Sequence, residues 1–344
     1  METWVIRQWQ RNTPWQILLR PISWLFLLLV AIRRAAYAWG LRGSTSVAVP
    51  VVIVGNITVG GTGKTPLVLA LVDALAKRGR HCGIVTRGYQ RRNNESLANV
   101  IHVVPAQANS GVVIDEATLL AQRSGAPVYA GIDRVAAAET LLRNCPEVDV
   151  IICDDGLQHY ALRRDVEICV IDGARGLGNG ALLPAGPLRE PASRLDTVAA
   201  IVVNGGGSGS RDFPACDHVF EMVLANEIFV NLMTDARLSV SEALAEFSGK
   251  RTSALAGTGN PDRFFSHLAK LGITPDSTKS FPDHHPYQAS DMPGKEVEII
   301  LMTEKDAVKC CSFADDRMGF MRVDAVLPNA FIDFVSKKLT DRKI

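Results

Sequence analysis

The sequence predicts an α/β fold: a mostly parallel sheet with flanking helices, a smaller C-terminal α/β domain and an N-terminal membrane-interface helix. Three observations carry this expectation. An apolar strand runs into a glycine-rich loop and then a helix at residues 51–76; strand and helix signals alternate from there to about residue 220; and a leader rich in arginine and tryptophan precedes the first strand.

The leader comes first. Residues 1–43 carry Arg7, Arg11, Arg20, Arg33, Arg34 and Arg42 against a single acid, Glu2, and hold all five tryptophans of the chain, Trp4, Trp9, Trp15, Trp24 and Trp39. Between the arginines runs the apolar stretch Pro21–Ile32, short for a span of the hydrocarbon core but suited to the interface, where arginine and tryptophan are the expected anchors. A signal peptide would also show basic residues, an apolar run and a sequence like Ala36-Tyr37-Ala38. Arg33 and Arg34 interrupt the approach to that site, and export would leave a nucleotide loop outside the cell. A buried core helix is the plainer alternative. The leader is read as a contact with the membrane surface at the cytoplasmic face.

Next comes Val51-Val52-Ile53-Val54-Gly55, followed by Asn56-Ile57-Thr58-Val59-Gly60-Gly61-Thr62-Gly63-Lys64-Thr65-Pro66. Glycines at 60, 61 and 63 let backbone N–H groups approach an anion closely, and the helix that follows presents its positive end to the same anion. Lys64 is placed to reach the outer phosphates of a nucleotide, Thr65 to ligate the magnesium ion that bridges them, and Pro66 suits a first helical turn. This is a P-loop NTPase-type arrangement with one departure: Thr58 stands where the first glycine of G-x-x-x-x-G-K-[ST] is expected. Leu67, Val68, Leu71, Val72 and Leu75 recur at helical spacing, with a stop at Lys77-Arg78-Gly79.

Further along, the pattern predicts a strand at 81–86, a helix at 115–123, a strand at 128–130, a helix at 134–143, a strand at 148–153, and strands near 167–171 and 199–203. Beyond about residue 220 the signal thins to an apolar segment at 227–233, a strand-then-helix unit at 253–271, a strand at 297–302 and a final helix at 330–339. The expected organisation is a leader at 1–43, a nucleotide-binding core at 44–220 and a smaller domain at 221–344, whose last helix is free to return to the core.

The strand Val148–Cys153 ends in Asp154-Asp155-Gly156. A carboxylate at the end of a strand beside the phosphate loop is how such enzymes bring a second anchor to the metal shell. Asp154 is the first candidate. Asp155 either shares the role or begins an Asp-Gly turn.

Composition excludes several classes. A net charge of +1 over 344 residues gives no footprint for nucleic acid, and seven cysteines without C-x-x-C spacing indicate neither a disulfide framework nor a zinc site. No obligate protein partner is indicated.

Taken together, Thr58–Pro66, Arg87-Gly88-Tyr89, Asp115-Glu116, Asp154–His159, Leu182–Pro191, Phe281–Tyr287 and Thr303-Glu304-Lys305-Asp306 resemble, in order, the tetraacyldisaccharide 4'-kinase family of Gram-negative bacteria. The resemblance implies transfer of a phosphoryl group from ATP, with magnesium, to the 4' hydroxyl of an acylated glucosamine disaccharide 1-phosphate at the inner membrane, giving lipid IVA. It implies that Thr58, Val59, Gly60, Gly61, Thr62, Gly63, Lys64 and Thr65 cradle the nucleotide, and that Asp115 is the catalytic base with Glu116 as its acidic neighbour near the metal. It further implies that His284, more than His285, sits beside that base, and that Arg189 meets a phosphate. Lys305 and Asp306 contact the nucleotide base or ribose on this reading, or form a strand-end charge pair. From pattern alone Asp115 reads first as a helix cap, and only the resemblance turns it into the base. A membrane-recruited ATPase of the partitioning type is the competing class, but its loop carries an extra lysine where this chain has Val59.

Overall fold

The computed structural model describes residues 8–9, 13–87, 100–104, 115–205, 217–283 and 285–341. In chain order its principal elements are α1 (Pro14–Ala38), β1 (Val51–Gly55), α2 (Lys64–Ala76), β2 (Cys82–Thr86), β3 (Ile101–Val103), α3 (Asp115–Ser124), β4 (Val128–Ala130), α4 (Arg134–Asn144), β5 (Val150–Asp154), β6 (Val166–Asp172) and β7 (Ala200–Asn204). There follow β8 (Val219–Asn231), β9 (Arg237–Ser239), α5 (Val240–Phe247), β10 (Thr252–Ala256), α6 (Pro261–Lys270), β11 (Ser277–Ser280), β12 (Ile299–Thr303), α7 (Glu304–Cys310), β13 (Met318–Val326) and α8 (Asn329–Thr340).

The strands form one sheet in the order β11-β10-β12-β13-β8-β7-β6-β1-β5-β2-β4-β3, with β9 pairing the outer part of β8. From β2 to β7 every pairing is parallel, and those strands are buried along most of their length. Apolar runs such as Val51–Val54 and Val150–Ile152 are what a sheet covered on both faces requires. β1 lies at the centre, between β5 and β6, so the loop leaving its carboxyl end opens at the middle of the sheet edge.

The expected boundary at residue 220 falls inside β8. This long strand pairs in parallel with β7 through Val219–Met222 and antiparallel with β13 through Val223–Asn231, so one strand is common to both halves of the sheet. The C-terminal helix α8 returns to the N-terminal half, where Phe331, Ile332, Val335 and Leu339 pack in one cluster with Leu67, Val68, Leu71, Val72 and Leu75 of α2. Arg78 reinforces this return through Asp333 at 2.5 Å and Ser336 at 2.8 Å.

The leader forms a 25-residue helix, longer than the apolar run expected from sequence, with Pro21 inside it. Its burial is inverted. The two buried side chains are Gln16 and Ser23, whereas Leu18, Ile22, Leu25, Leu28, Leu29 and Ile32 are exposed. Ser23 Oγ donates to Leu182 O at 2.9 Å and accepts from Ala185 N at 3.1 Å, and Arg33 donates to Gln158 O at 3.1 Å. At about 100° per residue, Leu25 and Ile32 stand about 180–200° around the helix from Ser23, so the polar contact and the apolar stripe occupy opposite faces.

Candidate active site

The phosphate loop is held in place by a second loop. Val59 N donates to Pro187 O at 2.9 Å, Arg189 N donates to Ile57 O at 2.7 Å, and Thr58 bridges Leu188 in antiparallel fashion. Thr58 is therefore extended and needs no glycine; the positive φ values fall later, at Gly60 (96°) and Gly63 (94°). At Gly63 a Cβ would collide with the Asn204 amide, so both the dihedral and the space demand glycine there. Thr62 is buried, Gly61 is exposed, and Val59, Gly60, Gly63, Lys64 and Thr65 are half-buried around the mouth of the loop.

Lys64, the first residue of α2, points its Nζ at Asn56 Oδ1 (3.2 Å) and Asp155 Oδ1 (3.3 Å). Register places Asp154 opposite Val54, at the carboxyl ends of adjacent strands. Asp154 is 1% exposed, and its Oδ1 has no hydrogen-bond partner among the described residues. Burial first, and then the Glu116 carboxylate, push its carboxyl up to about 7, against the pull of Lys64. Asp155 takes the left-handed conformation (φ 52°). Burial alone would raise its carboxyl, but Lys64 and Arg189 outweigh burial and hold it below the ordinary carboxylate range. Arg189 Nη1 lies 3.8 Å from Asp155 Oδ1. Sequence positions 64, 154, 155 and 189 thus converge on one end of β1.

On the facing side, α3 begins at Asp115; the side chain of Asp115 and all of Gly88, Tyr89 and His284 lie outside the described residues. Glu116 accepts from Lys305 Nζ at 2.9 Å, and the same ammonium reaches Asp283 at 3.3 Å. Lys305 therefore ties the start of α3 to the turn that precedes His284. His285 faces elsewhere: its Nε2 meets Asp291 Oδ2 at 3.0 Å, and its ring stacks on Phe281.

Asp306, expected either at the nucleotide base or ribose or in a strand-end charge pair, turns into the protein interior. It is fully buried, accepting from Thr303 Oγ1 at 2.6 Å, from Gly257 N at 2.9 Å and from Lys309 at 3.1 Å. Its carboxylate shapes the turn after β10, whose Gly259 approaches Gly60 and Gly61. Arg134, which opens α4 and reads from sequence either as a further cation for phosphate or as a surface residue, is 3% exposed and donates to Gly131 O and Ile132 O.

Sequence reasoning passed over several residues that touch this site. Asn56 donates to two loop carbonyls; Gln158 Nε2 donates to Asn56 O (3.1 Å) and to Glu190 (2.8 Å); Glu190, 1% exposed, also binds Tyr160 and Arg194. Arg175 binds the Gly61 carbonyl and Asp172, and Arg263 of α6 reaches the same Asp172 at 2.9 Å. The available signal was position, since Asn56 and Glu190 adjoin residues already singled out.

The profile of the family described as Tetraacyldisaccharide-1-P 4'-kinase matches residues 15–340. The chain is similar to the tetraacyldisaccharide 4'-kinase of Methylobacillus flagellatus, at 45% identity over 98% of this chain and 96% of that one. It is also similar to that of Dechloromonas aromatica, at 44% identity over 99% and 98%. Among solved structures it resembles LpxK from Aquifex aeolicus in complex with ATP, with a TM-score of 0.76 and 27% identity over 94% of this chain and 99% of that one.

Proposed function

The chain belongs to the tetraacyldisaccharide 4'-kinase family, and from that premise we propose that it transfers the γ-phosphoryl group of ATP to the 4' hydroxyl of an acylated disaccharide 1-phosphate. The observation that carries the reading is the convergence of Lys64, Asp155 and Arg189 on the loop at the end of β1. A partitioning-type ATPase is not favoured, since the lysine its loop requires is absent at Val59.

The residues divide the work as follows. The loop from Thr58 to Thr65 holds the phosphates through backbone N–H groups and the α2 terminus, and Lys64 leaves Asp155 to neutralise charge on the outer phosphates. Arg189 supplies a second cation for the γ-phosphoryl or substrate phosphate. Asp115 accepts the proton of the sugar hydroxyl as its oxygen bonds to phosphorus and the bond to the ADP oxygen breaks; His284 orients Asp115. Lys305 keeps the two together by joining Glu116 to the turn before His284. Asp306 acts on the nucleotide indirectly, through the Gly257–Gly259 turn.

A magnesium ion suits the carboxylate end of β5. Asp154 offers a buried oxygen that has no hydrogen-bond partner among the described residues, close to Glu116, and would be the principal ligand, with the Thr65 hydroxyl at the start of α2 as a second. Among the described residues no three acidic side chains are gathered for a metal, and Asp155 and Glu116, paired with Lys64 and Lys305, would join only on leaving those lysines. A magnesium ion held there would supply positive charge to offset that developing on the phosphates during transfer.

The exposed stripe of α1 supports a seat at the membrane surface, on the cytoplasmic face where ATP is supplied, with the polar face of the helix turned to the core. With labelled ATP and detergent-dispersed disaccharide monophosphate, the full chain is expected to form the bisphosphate, and Asp115→Asn to slow this by about 10²–10⁴-fold while ATP still binds. Full activity in Asp115→Asn overturns the assignment of the base; no product from the wild type overturns the substrate.

A further inference from the structure

Asn56 occupies the residue between β1 and the phosphate loop and is wholly buried. Its amide uses both ends. Nδ2 donates to Thr58 O at 2.8 Å and to Gly60 O at 3.3 Å, while Oδ1 accepts from Lys64 Nζ at 3.2 Å. The remaining carbonyls of the loop centre are held in the same manner: Arg175 binds Gly61 O, and Asn204 Nδ2 donates to Thr62 O at 3.0 Å. Four contacts thus occupy the carbonyls of residues 58, 60, 61 and 62, whose negative ends would otherwise be free to repel a phosphate. Among the described residues, Asn56 alone combines a carbonyl clamp with a contact to the lysine.

The lysine contact has a physical purpose. Lys64 stands between Asn56 and Asp155. A full charge at position 56 would trap the ammonium between two carboxylates, and an apolar residue would leave it to Asp155 alone. A neutral amide oxygen shares the ammonium and releases it when a phosphate arrives.

We propose that Asn56 is a positioning residue for nucleotide binding, acting on ATP through the loop carbonyls and Lys64 without touching the nucleotide. The inference rests on the reading that ATP occupies this loop, and it is independent of which acceptor takes the phosphoryl group. It assigns the tethering that lets a loop without its first glycine keep a phosphate-binding shape to a side chain just upstream.

The test uses the full-length protein in detergent and the near-isosteric Asn56→Asp, which removes both donors and adds the charge. Binding of a fluorescent ATP analogue, without lipid, is expected to weaken by about tenfold or more, with KM for the lipid substrate changed by less than about twofold. In a Lys64→Ala background the same substitution is expected to weaken ATP binding by a clearly smaller factor than in the wild type, because the lysine contact is already gone and only the loss of the two carbonyl clamps remains. Asn56→Ser, which retains a single short donor, should fall between wild type and Asn56→Asp and serves if the aspartate variant unfolds. Wild-type ATP affinity in either variant, equal losses for ATP and lipid, or full additivity with Lys64→Ala overturns the proposal. Tight ATP binding by a wild type that phosphorylates no lipid would instead count against the proposed acceptor.

Discussion

α1 and α2 are both apolar helices, yet they bury opposite things. α2 turns Leu67, Val68, Leu71, Val72 and Leu75 into the core and presents Lys64 at its open end. α1 buries Gln16 and Ser23 and leaves Leu18, Ile22, Leu25, Leu29 and Ile32 in the open. Apolar content alone therefore says nothing about what a helix is for; the location of its hydrogen-bonded polar groups does. A helix tied down by a serine hydroxyl and an arginine, with its leucines facing away, suits the proposed seat at a membrane surface. On the proposed reading one helix serves the phosphate and the other the membrane surface, and the loop from Leu182 to Arg189 touches both, through Ser23 on one side and residues 57–59 on the other.

Substitutions can break this contrast, beginning with the largest effect. Leu71→Ala in α2 is expected to destabilise the protein by about 2–5 kcal/mol, because it opens a cavity in a closed core. Denaturant unfolding checks this. A loss near zero would mean that α2 is not the packed helix of the pair.

The polar end of the core makes the next prediction. Because the Asp154 carboxyl is raised to about 7 from an unfolded value near 4, the ligand-free folded state binds more protons than the unfolded state between those values. The stabilising contribution is thus complete below about pH 4 and is lost as pH rises through about 7. Asp154→Asn should flatten that dependence and raise the stability of the metal-free protein near pH 8, while phosphoryl transfer falls. Melting curves across pH, with and without magnesium, read this out; parallel curves for the two proteins would contradict it.

Ser23→Ala removes the buried hydroxyl that joins α1 to Leu182 and Ala185, and is expected to cost about 1 kcal/mol. Faster hydrogen exchange confined to α1 would report the loosened helix. Smallest of all, Leu28→Ala on the exposed face should alter folding stability by no more than about 0.5 kcal/mol. A large destabilisation there would make α1 an ordinary core helix.

The part of the fold nearest the phosphate loop is legible in the sequence because its signals are local. β1, the glycine loop and α2 follow one another without interruption, and β5 announces itself by an unbroken apolar run ending in Asp154. The C-terminal half is less legible for physical reasons. β8 is interrupted by Asn226 in a left-handed conformation, its partner β13 carries an irregularity between Arg322 and Asp324, and the edge strand β11 is Ser-Thr-Lys-Ser, fully exposed and without an apolar face. α7 starts directly at the end of β12, leaving no linker to mark it. The same limit applies to the site. Lys64 and Asp154 belong to motifs, whereas Asn56, Gln158 and Glu190 act through contacts between positions as much as 102 apart that no spacing rule encodes.

The most direct test of the account is transfer from γ-labelled ATP to acylated disaccharide 1-phosphate held in phospholipid vesicles, comparing wild type with Leu25→Glu/Leu29→Glu on the outward stripe of α1. The account predicts a 4'-phosphorylated product from the wild type. It predicts a loss of about tenfold or more in the variant with vesicle-held lipid, alongside unchanged ATP binding and unchanged folding stability, since charges on that face oppose insertion without touching the core. Equal transfer by the two proteins from vesicles would contradict the division of labour between α1 and α2, and absence of 4' product from the wild type would contradict the assigned reaction itself.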